Sequence, residues 1–109
     1  MTTNEMYDNT TNELRRGVIV LAVLSQLDQE QYGYSLLKLL SEKGLEIDQG
    51  TLYPLLRRLE SQGLLSSDWN TEGSRPRRYY VISPEGQELL PRLKDEWNKI
   101  VSMMEGMLK

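Results

Sequence analysis

The side chains best suited to chemistry in this chain are arginines, which cluster in two short stretches. Arg57 and Arg58 lie in "GTLYPLLRRLESQGLL" (residues 50–65), and three more arginines lie in "GSRPRR" (residues 73–78). A guanidinium fork matches the paired acceptors of a phosphate or of a guanine edge. Residues 49–82 carry five arginines against three carboxylates, a local charge of +2 in a chain whose net charge is −3. This basic patch predicts a surface for nucleic acid, with scattered surface arginines as the alternative on charge alone.

The composition disfavours catalysis. The chain contains no cysteine and no histidine, which excludes disulfides, thiol nucleophiles, Ser-His-Asp triads and thiolate or imidazole metal sites. The carboxylates lack the spacing of a calcium loop, and no glycine-rich loop is built to cradle phosphate. We therefore predict no catalytic residue, no metal, no cofactor and no enzyme activity.

The sequence also disfavours a membrane protein. The longest apolar run, Val18 to Leu24, is far shorter than the ~18 residues that a membrane span needs. The polar, acidic N-terminus does not have the pattern of a signal peptide. A cytoplasmic protein without a membrane partner is the expectation.

A helix that begins after Asp48 and ends before Gly63 is predicted to position Arg57 and Arg58, with Thr51 as the alternative N-cap. Four leucines form its buried face at helical spacing. Its outward side carries small and polar residues, including a proline that leaves a backbone carbonyl without its usual donor. These outward residues are Gly50, Pro54, Arg57 and Ser61, with Thr51, Tyr53 and Arg58 on the flanks.

The order of elements predicts a winged helix-turn-helix domain, which is mainly α with a small β-hairpin. One helix spans about Asn12 to Leu27, with Thr10 or Thr11 as a possible cap. A second spans about Tyr32 to Lys43 and is stopped by Gly44, before the helix that carries Arg57. Two strands, 64–69 and 77–82, then enclose a turn-rich tip. We predict a flexible N-terminus at 1–11, the DNA-binding domain at 12–82 and a dimerisation helix at 83–109.

The terminal helix predicts a homodimer. Ser83 caps it, and its apolar residues recur at alternating spacings of 3 and 4, the pattern of a packing seam. The first helix is apolar on two sides and so requires two partners, its own domain and another subunit. A monomer in which the terminal helix folds back on the first helix is the alternative. The predicted interface residues are Leu14, Val18, Ile19, Val23, Leu90, Leu93, Trp97, Ile100, Met104 and Met107.

In a helix-turn-helix domain the third helix enters the major groove with its N-terminal half at the base edges. Gln49 and Thr51 are then candidates for hydrogen bonds to bases or phosphates, while Gly50 and Pro54 let the backbone approach closely. Tyr53 has packing as its alternative role.

Arg57 is the strongest candidate for a guanine or phosphate contact. The wing arginines Arg75, Arg77 and Arg78 are expected to straddle a phosphate backbone or enter the minor groove. The alternatives are pairs within the chain, Arg57 with Glu60 or Ser61 and the wing arginines with Asp68 and Glu72.

Nearly the whole chain resembles the small subfamily of PadR bacterial transcriptional repressors. The resemblance rests on "LRRGVIVLAVLSQ", "YGYSLLKLL", "GTLYPLLRRLESQGLL" and "RPRRYYVISPEG". It implies a homodimer that exchanges its first and terminal helices, binds double-stranded DNA at a pseudo-palindromic operator and represses transcription at the nucleoid. It places Tyr34, Thr51, Tyr53, Arg57 and the wing arginines in segments that face DNA.

The resemblance also implies, as in multidrug sensing, flat hydrophobic effectors held between paired tryptophans at the position of Trp97. Packing in the dimer core is the alternative role for Trp97. The alternative for the whole chain is a winged-helix adaptor that binds protein through the same face.

Overall fold

Four α-helices and three short strands make up the chain, and a computed structural model describes residues 1–109. The elements are α1 (Thr3–Ser25), β1 (Gln31–Tyr32), α2 (Gly33–Glu42), α3 (Gln49–Ser61), β2 (Leu65–Asn70), β3 (Arg77–Ile82) and α4 (Pro84–Leu108). The strands form an antiparallel sheet in the order β1-β3-β2. The predicted mainly helical winged-helix class is confirmed, with one strand more than the predicted hairpin. No helix combines the length and apolarity that crossing a membrane requires.

The helix ends follow from local sequence. The Asp48 carboxylate accepts the Thr51 N–H at 2.7 Å and caps α3, and Ser83 Oγ accepts the Gly86 N–H at 3.0 Å and caps α4. Gly44 and Gly63 follow α2 and α3 with φ angles of +99° and +84°, a conformation that glycine adopts without strain. The caps predicted at Asp48 and Ser83 and the stops predicted at Gly44 and Gly63 are therefore confirmed. The cap predicted at Thr10 or Thr11 is wrong, because α1 begins at Thr3.

The leucine face of α3 lies at the centre of the hydrophobic core. Leu52, Leu56 and Leu59 are almost completely buried against α1, α2 and the sheet. Two backbone hydrogen bonds connect the segments around this core. The Leu27 carbonyl accepts the Ile82 N–H at 2.8 Å, and the Leu64 carbonyl accepts the Ser83 N–H at 3.0 Å. These bonds join the end of α1 and the start of α4 to the sheet region.

The prediction for the N-terminus was wrong in its helix boundary. α1 begins at Thr3 rather than near Asn12, so most of the stretch expected to be flexible is helical. Thr2 Oγ1 accepts the Glu5 N–H at 3.1 Å, and a threonine followed three residues later by glutamate is a capping-box sequence. The first ten residues are exposed, which shows that this part of α1 extends beyond the core.

The burial of α1 side chains in the core changes part of the predicted subunit interface. Ile19 and Val23 are buried in the core of their own chain, so their side chains offer little surface to a second subunit. Leu14, by contrast, is exposed and Val18 is half-buried. The core therefore takes one of the two apolar sides of α1 and leaves the other partly open.

α4 is covered only over its first turns. Leu90 and Leu93 pack against the core, whereas Trp97 is 40% exposed and Met107 is 68% exposed. The seam predicted from sequence thus begins inside the domain and continues onto open surface. Close approach at the start of α4 depends on Gly86, which is buried against β3 and the residue preceding β2.

Replacement of Gly86 by alanine is expected to destabilise the chain even though alanine favours helix. A Cβ at this position would lie 2.4 Å from the Leu64 carbonyl oxygen and 2.7 Å from Ile82 Cγ1, so the Gly86→Ala variant should lose about 1–3 kcal/mol of unfolding free energy. Urea denaturation followed by circular dichroism measures the loss.

Gly17→Ala is the matched control, because a Cβ at Gly17 in α1 meets nothing within 4 Å. This variant should gain about 0.5–1 kcal/mol from helix propensity alone. Equal stability of the two variants would contradict the close packing of α4 on the sheet.

Candidate nucleic-acid interface

The outward side of α3 is open along most of its length. Gln49, Gly50, Thr51, Pro54, Arg57 and Ser61 are all exposed, whereas the four leucines of the helix are buried. Pro54 lies inside α3 on this open side, where water or a ligand reaches the carbonyl that the proline ring leaves without a donor. The first turns of α3 therefore present a surface of small side chains that another molecule can approach closely.

A concave surface of about 320 Å³ lies where α2, α3 and the wing (β2, β3 and the turn between them) meet. Tyr32, Gly33 and Tyr34 contribute from the start of α2, and Tyr53, Leu56 and Arg57 contribute from α3. The wing supplies Trp69, Arg77, Arg78 and Tyr80. Arginines from α3 and from the wing thus border one concavity, although they are about twenty residues apart in sequence.

Tyr53 packs against the N-terminus of α2. A Cβ on Gly33 would lie 2.4 Å from Tyr53 Cε1, so the glycine makes room for the tyrosine ring. Tyr53 is half-buried, whereas Tyr34 is 59% exposed beside it. Tyr53 therefore packs on α2, and Tyr34 is the more accessible of the two tyrosines.

The three wing arginines occupy three different environments. Arg75 is exposed in the turn between the strands, and Arg77 lies on the face of the sheet that carries Tyr32, with its guanidinium carbon 4.5 Å from the Tyr32 ring centroid. Arg78 lies on the opposite face, because neighbouring residues of a strand alternate. There Arg78 Nη2 donates to Glu60 Oε1 of α3 at 2.6 Å.

Arg57 has no partner within the chain. The pairing considered with Glu60 or Ser61 does not form, because the Glu60 carboxylate accepts from Arg78 and Ser67, and Ser61 Oγ donates to the Arg58 carbonyl. The ladder considered between the wing arginines and Asp68 or Glu72 does not form either, since the arginine that is paired uses Glu60. The charges of Arg57, Arg75 and Arg77 are therefore available to an anion.

Tyr80 shows how far the core reaches into this region. Its side chain is buried beside Arg78 and Glu60. Burial raises the pKa of the Tyr80 hydroxyl above its usual value, while Arg78 partly opposes the rise. The hydroxyl is consequently neutral and takes no part in acid–base chemistry near neutral pH. The chain also contains no group of three or more acidic side chains placed to hold a metal ion.

Trp69 and Tyr32 line the concavity and were missed as surface candidates in the sequence. Trp69 is 60% exposed and lies opposite Arg78 in the β2–β3 register. Leu65, Ser67 and Trp69 alternate onto one face of β2, and their burial falls along the strand from buried to exposed. That alternation was the available signal, because it indicates that the inner face of the wing extends past the core.

The arrangement is suited to a large anionic partner. Unpaired guanidinium groups rim an open, aromatic-lined surface, and α3 offers exposed hydrogen-bonding groups beside it. Phosphates accept bidentate bonds from arginine, and base edges accept bonds from arginine, threonine or glutamine. The concavity therefore brings together five residues of the predicted nucleic-acid surface, Tyr34, Tyr53, Arg57, Arg77 and Arg78. Arg78 differs from the other arginines there because it is paired with Glu60.

Comparison with known proteins relates the chain to one group of regulators. The profile of the transcriptional regulator PadR-like family matches residues 20–92. Rv3488, a transcriptional regulator of Mycobacterium tuberculosis, is 39% identical over 79 residues, which cover 72% of this chain and 74% of that protein.

Solved structures show the same relationship. A PadR family transcriptional regulator from Eggerthella lenta is 43% identical and superposes with a TM-score of 0.91, covering 97% of this chain and 95% of its own. A transcriptional regulator from Clostridium thermocellum is 29% identical with a TM-score of 0.80, covering 89% of this chain and 99% of its own.

Proposed function

Because the chain belongs to the PadR-like family of transcriptional regulators, we propose that it is a homodimeric repressor that binds double-stranded DNA at a pseudo-palindromic operator. The observation that carries the proposal is the concave surface shared by α3 and the wing, on which Arg57 and Arg77 are both free of carboxylate partners. A protein-binding adaptor has no need of this pattern of unpaired cations. The proposal places the chain in the cytoplasm at the nucleoid.

The proposal assigns base contacts to the first turns of α3. Gln49 and Thr51 are exposed in the first turn and Arg57 in the third, and they carry the donors and acceptors that read base edges. Gly50 and Pro54 lie on the same side and keep it free of long side chains, so the helix backbone can come close to the groove. This arrangement is the usual docking of a recognition helix.

Backbone contacts are assigned to the residues around α3. Arg75 and Arg77 on the wing reach phosphates or the minor groove, and the Tyr34, Tyr53 and Ser61 hydroxyls serve phosphates at the edges of the helix. The start of α2 supports this assignment, because its first-turn N–H groups have no side-chain cap and such groups favour phosphate. Residues 12–82 form the DNA-binding unit in this proposal.

The proposal assigns dimerisation to residues 83–109 together with α1. Trp97, Ile100, Met104 and Met107 continue the seam of Leu90 and Leu93 beyond the core and lie on open surface. A monomeric fold-back would bury this stripe, whereas Trp97, Ile100 and Met104 are 37–40% exposed and Met107 is 68% exposed in the single chain. A second copy supplies a matching stripe and, with the exposed Leu14 and half-buried Val18, buries both.

We further propose that the dimer interface admits a flat hydrophobic effector beside Trp97. The indole is 40% exposed, and Met103 and Met104, about two turns further along α4, are flexible apolar side chains that adapt to different ligand shapes. A ligand changes DNA affinity only if it binds the two dimer arrangements differently. Relief of repression therefore requires the bound ligand to favour an arrangement in which the two α3 helices no longer match the operator.

The DNA proposal is tested with duplexes enriched from a random-sequence pool by the unaltered chain. Arg57→Ala is expected to weaken binding by about 1–3 kcal/mol. The Arg75→Ala/Arg77→Ala pair is expected to reduce the slope of log affinity against log salt concentration by about two, because about two phosphate contacts are lost. Enriched sequences should contain two half-sites about 34 Å apart. Fluorescence anisotropy at several salt concentrations provides both quantities.

Arg92→Ala on α4 serves as the control, because this arginine is exposed and lies outside the proposed contact surface. Unchanged affinity in both test variants contradicts the assignment. Failure of the unaltered chain to enrich any duplex favours the adaptor function instead.

The dimer is tested by placing a charge in the exposed seam. The unaltered chain should sediment as a dimer at micromolar concentration, and Ile100→Glu should sediment as a monomer because burying the carboxylate is costly. Ser102→Glu introduces the same charge on the opposite side of α4 and should remain dimeric. Sedimentation of the unaltered chain as a monomer would contradict the dimer proposal.

The effector site is tested with the planar dye proflavine. Trp69→Phe leaves Trp97 as the sole tryptophan, and saturable quenching of its fluorescence by the dye is expected. The full-length double variant Trp69→Phe/Trp97→Ala should bind the dye with at least tenfold lower affinity, measured by dye anisotropy. This difference corresponds to about 1.4 kcal/mol. Equal dye binding with and without Trp97 contradicts the assignment.

A further inference from the structure

A closed ring of hydrogen bonds joins the end of α3 to the wing. Arg78 Nη2 donates to Glu60 Oε1 at 2.6 Å, and Arg78 Nε donates to Ser67 Oγ at 3.0 Å. Ser67 Oγ in turn donates to the other carboxylate oxygen of Glu60. Each of the three residues comes from a different element, α3, β2 or β3, so the ring fixes how these elements lie relative to one another.

The surroundings of the ring restrict its movement. The Arg78 side chain is 36% exposed and that of Glu60 is 26% exposed. The Arg78 guanidinium also lies 5.9 Å from the Trp69 ring centroid and 5.5 Å from that of Tyr80, distances at which a cation is attracted to an aromatic face. Partial burial and two aromatic neighbours make this ion pair stronger than an exposed one.

The ring lies where apolar packing between α3 and the wing ends. Leu65 is buried at the start of β2, whereas Trp69 near the end of the strand is mostly exposed. Beyond Ser67, therefore, the core no longer determines the direction of the wing relative to α3. The ring supplies the last attachment between them before the strands extend into solvent.

We propose that Glu60 and Arg78 are positioning residues that hold the wing at a set angle to α3. The inference rests on the proposed function, because that angle decides whether Arg77 on the wing and Arg57 on α3 meet the same duplex. The proposal also gives Arg78 a different role from its neighbours Arg75 and Arg77, because the Arg78 guanidinium pairs with Glu60 and does not contact a phosphate.

The two roles for Arg78 predict opposite effects of removing Glu60. If Arg78 contacted a phosphate, the Glu60 carboxylate would compete with the DNA, and its loss would tighten binding. If Arg78 acts through Glu60, loss of the carboxylate releases the wing and weakens binding, although a negative charge near the DNA has been removed. The sign of the change therefore distinguishes contact from positioning.

Ser67 provides a test that changes no charge. Ser67→Ala breaks the ring and leaves both Glu60 and Arg78 in place. A direct phosphate contact by Arg78 would be unaffected by it, whereas a positioning role requires weaker binding. Ser66→Ala is the matched control, because Ser66 is the exposed neighbour on the opposite face of β2.

The experiment measures affinity for an enriched duplex as a function of salt with full-length Glu60→Met, Ser67→Ala, Ser66→Ala and Glu72→Met. We expect Kd to rise about three- to tenfold for Glu60→Met and Ser67→Ala, the range of coupling between residues in one network. In these two variants the slope of log affinity against log salt concentration should not change. Arg77→Gln, by contrast, should lower this slope by about one, because it removes a phosphate contact. Ser66→Ala and Glu72→Met should bind as the unaltered chain or more tightly.

Hydrogen exchange of the free protein adds a readout that needs no DNA. Amides of β2 and β3 near the turn should exchange faster in Glu60→Met and Ser67→Ala than in Ser66→Ala, while the amides of α3 that pack in the core are unchanged. Tighter DNA binding by Glu60→Met, unchanged binding by Ser67→Ala, or unchanged exchange in both variants overturns the positioning role. Failure of the unaltered chain to enrich any duplex overturns the proposed function instead, and exchange still decides whether the ring holds the wing.

Discussion

Burial of the leucine face of α3 is the interaction on which the rest of the structure depends. Leu52, Leu56 and Leu59 are enclosed by α1, α2 and the sheet, and their burial sets the rotation of α3 about its axis. Since side chains on a helix have fixed angular positions, the same rotation turns Thr51, Pro54 and Arg57 outward. The core therefore determines which residues α3 presents to a partner.

The sheet extends this control from α3 to the wing. β3 pairs with β1 on one side and with β2 on the other, and the Ile82 N–H donates to the carbonyl of Leu27, two residues after the end of α1. One end of the hairpin is consequently tied to the core. Its other end carries Arg75 and Arg77 beyond the core, and the ring of Glu60, Ser67 and Arg78 is the attachment to α3 nearest the turn.

The two long helices divide their surfaces between the domain and the exterior. α1 contributes Ile19 and Val23 to the core and leaves Leu14 exposed, while α4 packs through Leu90 and Leu93 and exposes Met107. Apolar stripes of this length on open surface carry a solvation cost that a second copy removes. The homodimer in our proposal follows from this cost and places two α3 helices in one molecule.

The sequence by itself determined the features that depend on neighbours within about four residues. The caps at Asp48 and Ser83, the stops at Gly44 and Gly63 and the bounds of β3 could all be predicted, because local hydrogen bonds and side-chain periodicity decide them. The capping box at Thr2 carried a signal of the same kind and was overlooked.

Only the tertiary structure decided which of two equivalent local choices was taken. The sequence shows two apolar sides on α1, but packing alone places Ile19 and Val23 in the core. Likewise, Arg77 and Arg78 are indistinguishable as neighbours in a basic run, and only the approach of Glu60, 18 residues away, pairs Arg78 and leaves Arg77 free. The strand pairing of β1 and the aromatic-lined concavity are decided in the same way, because both depend on contacts between distant segments that no local pattern encodes.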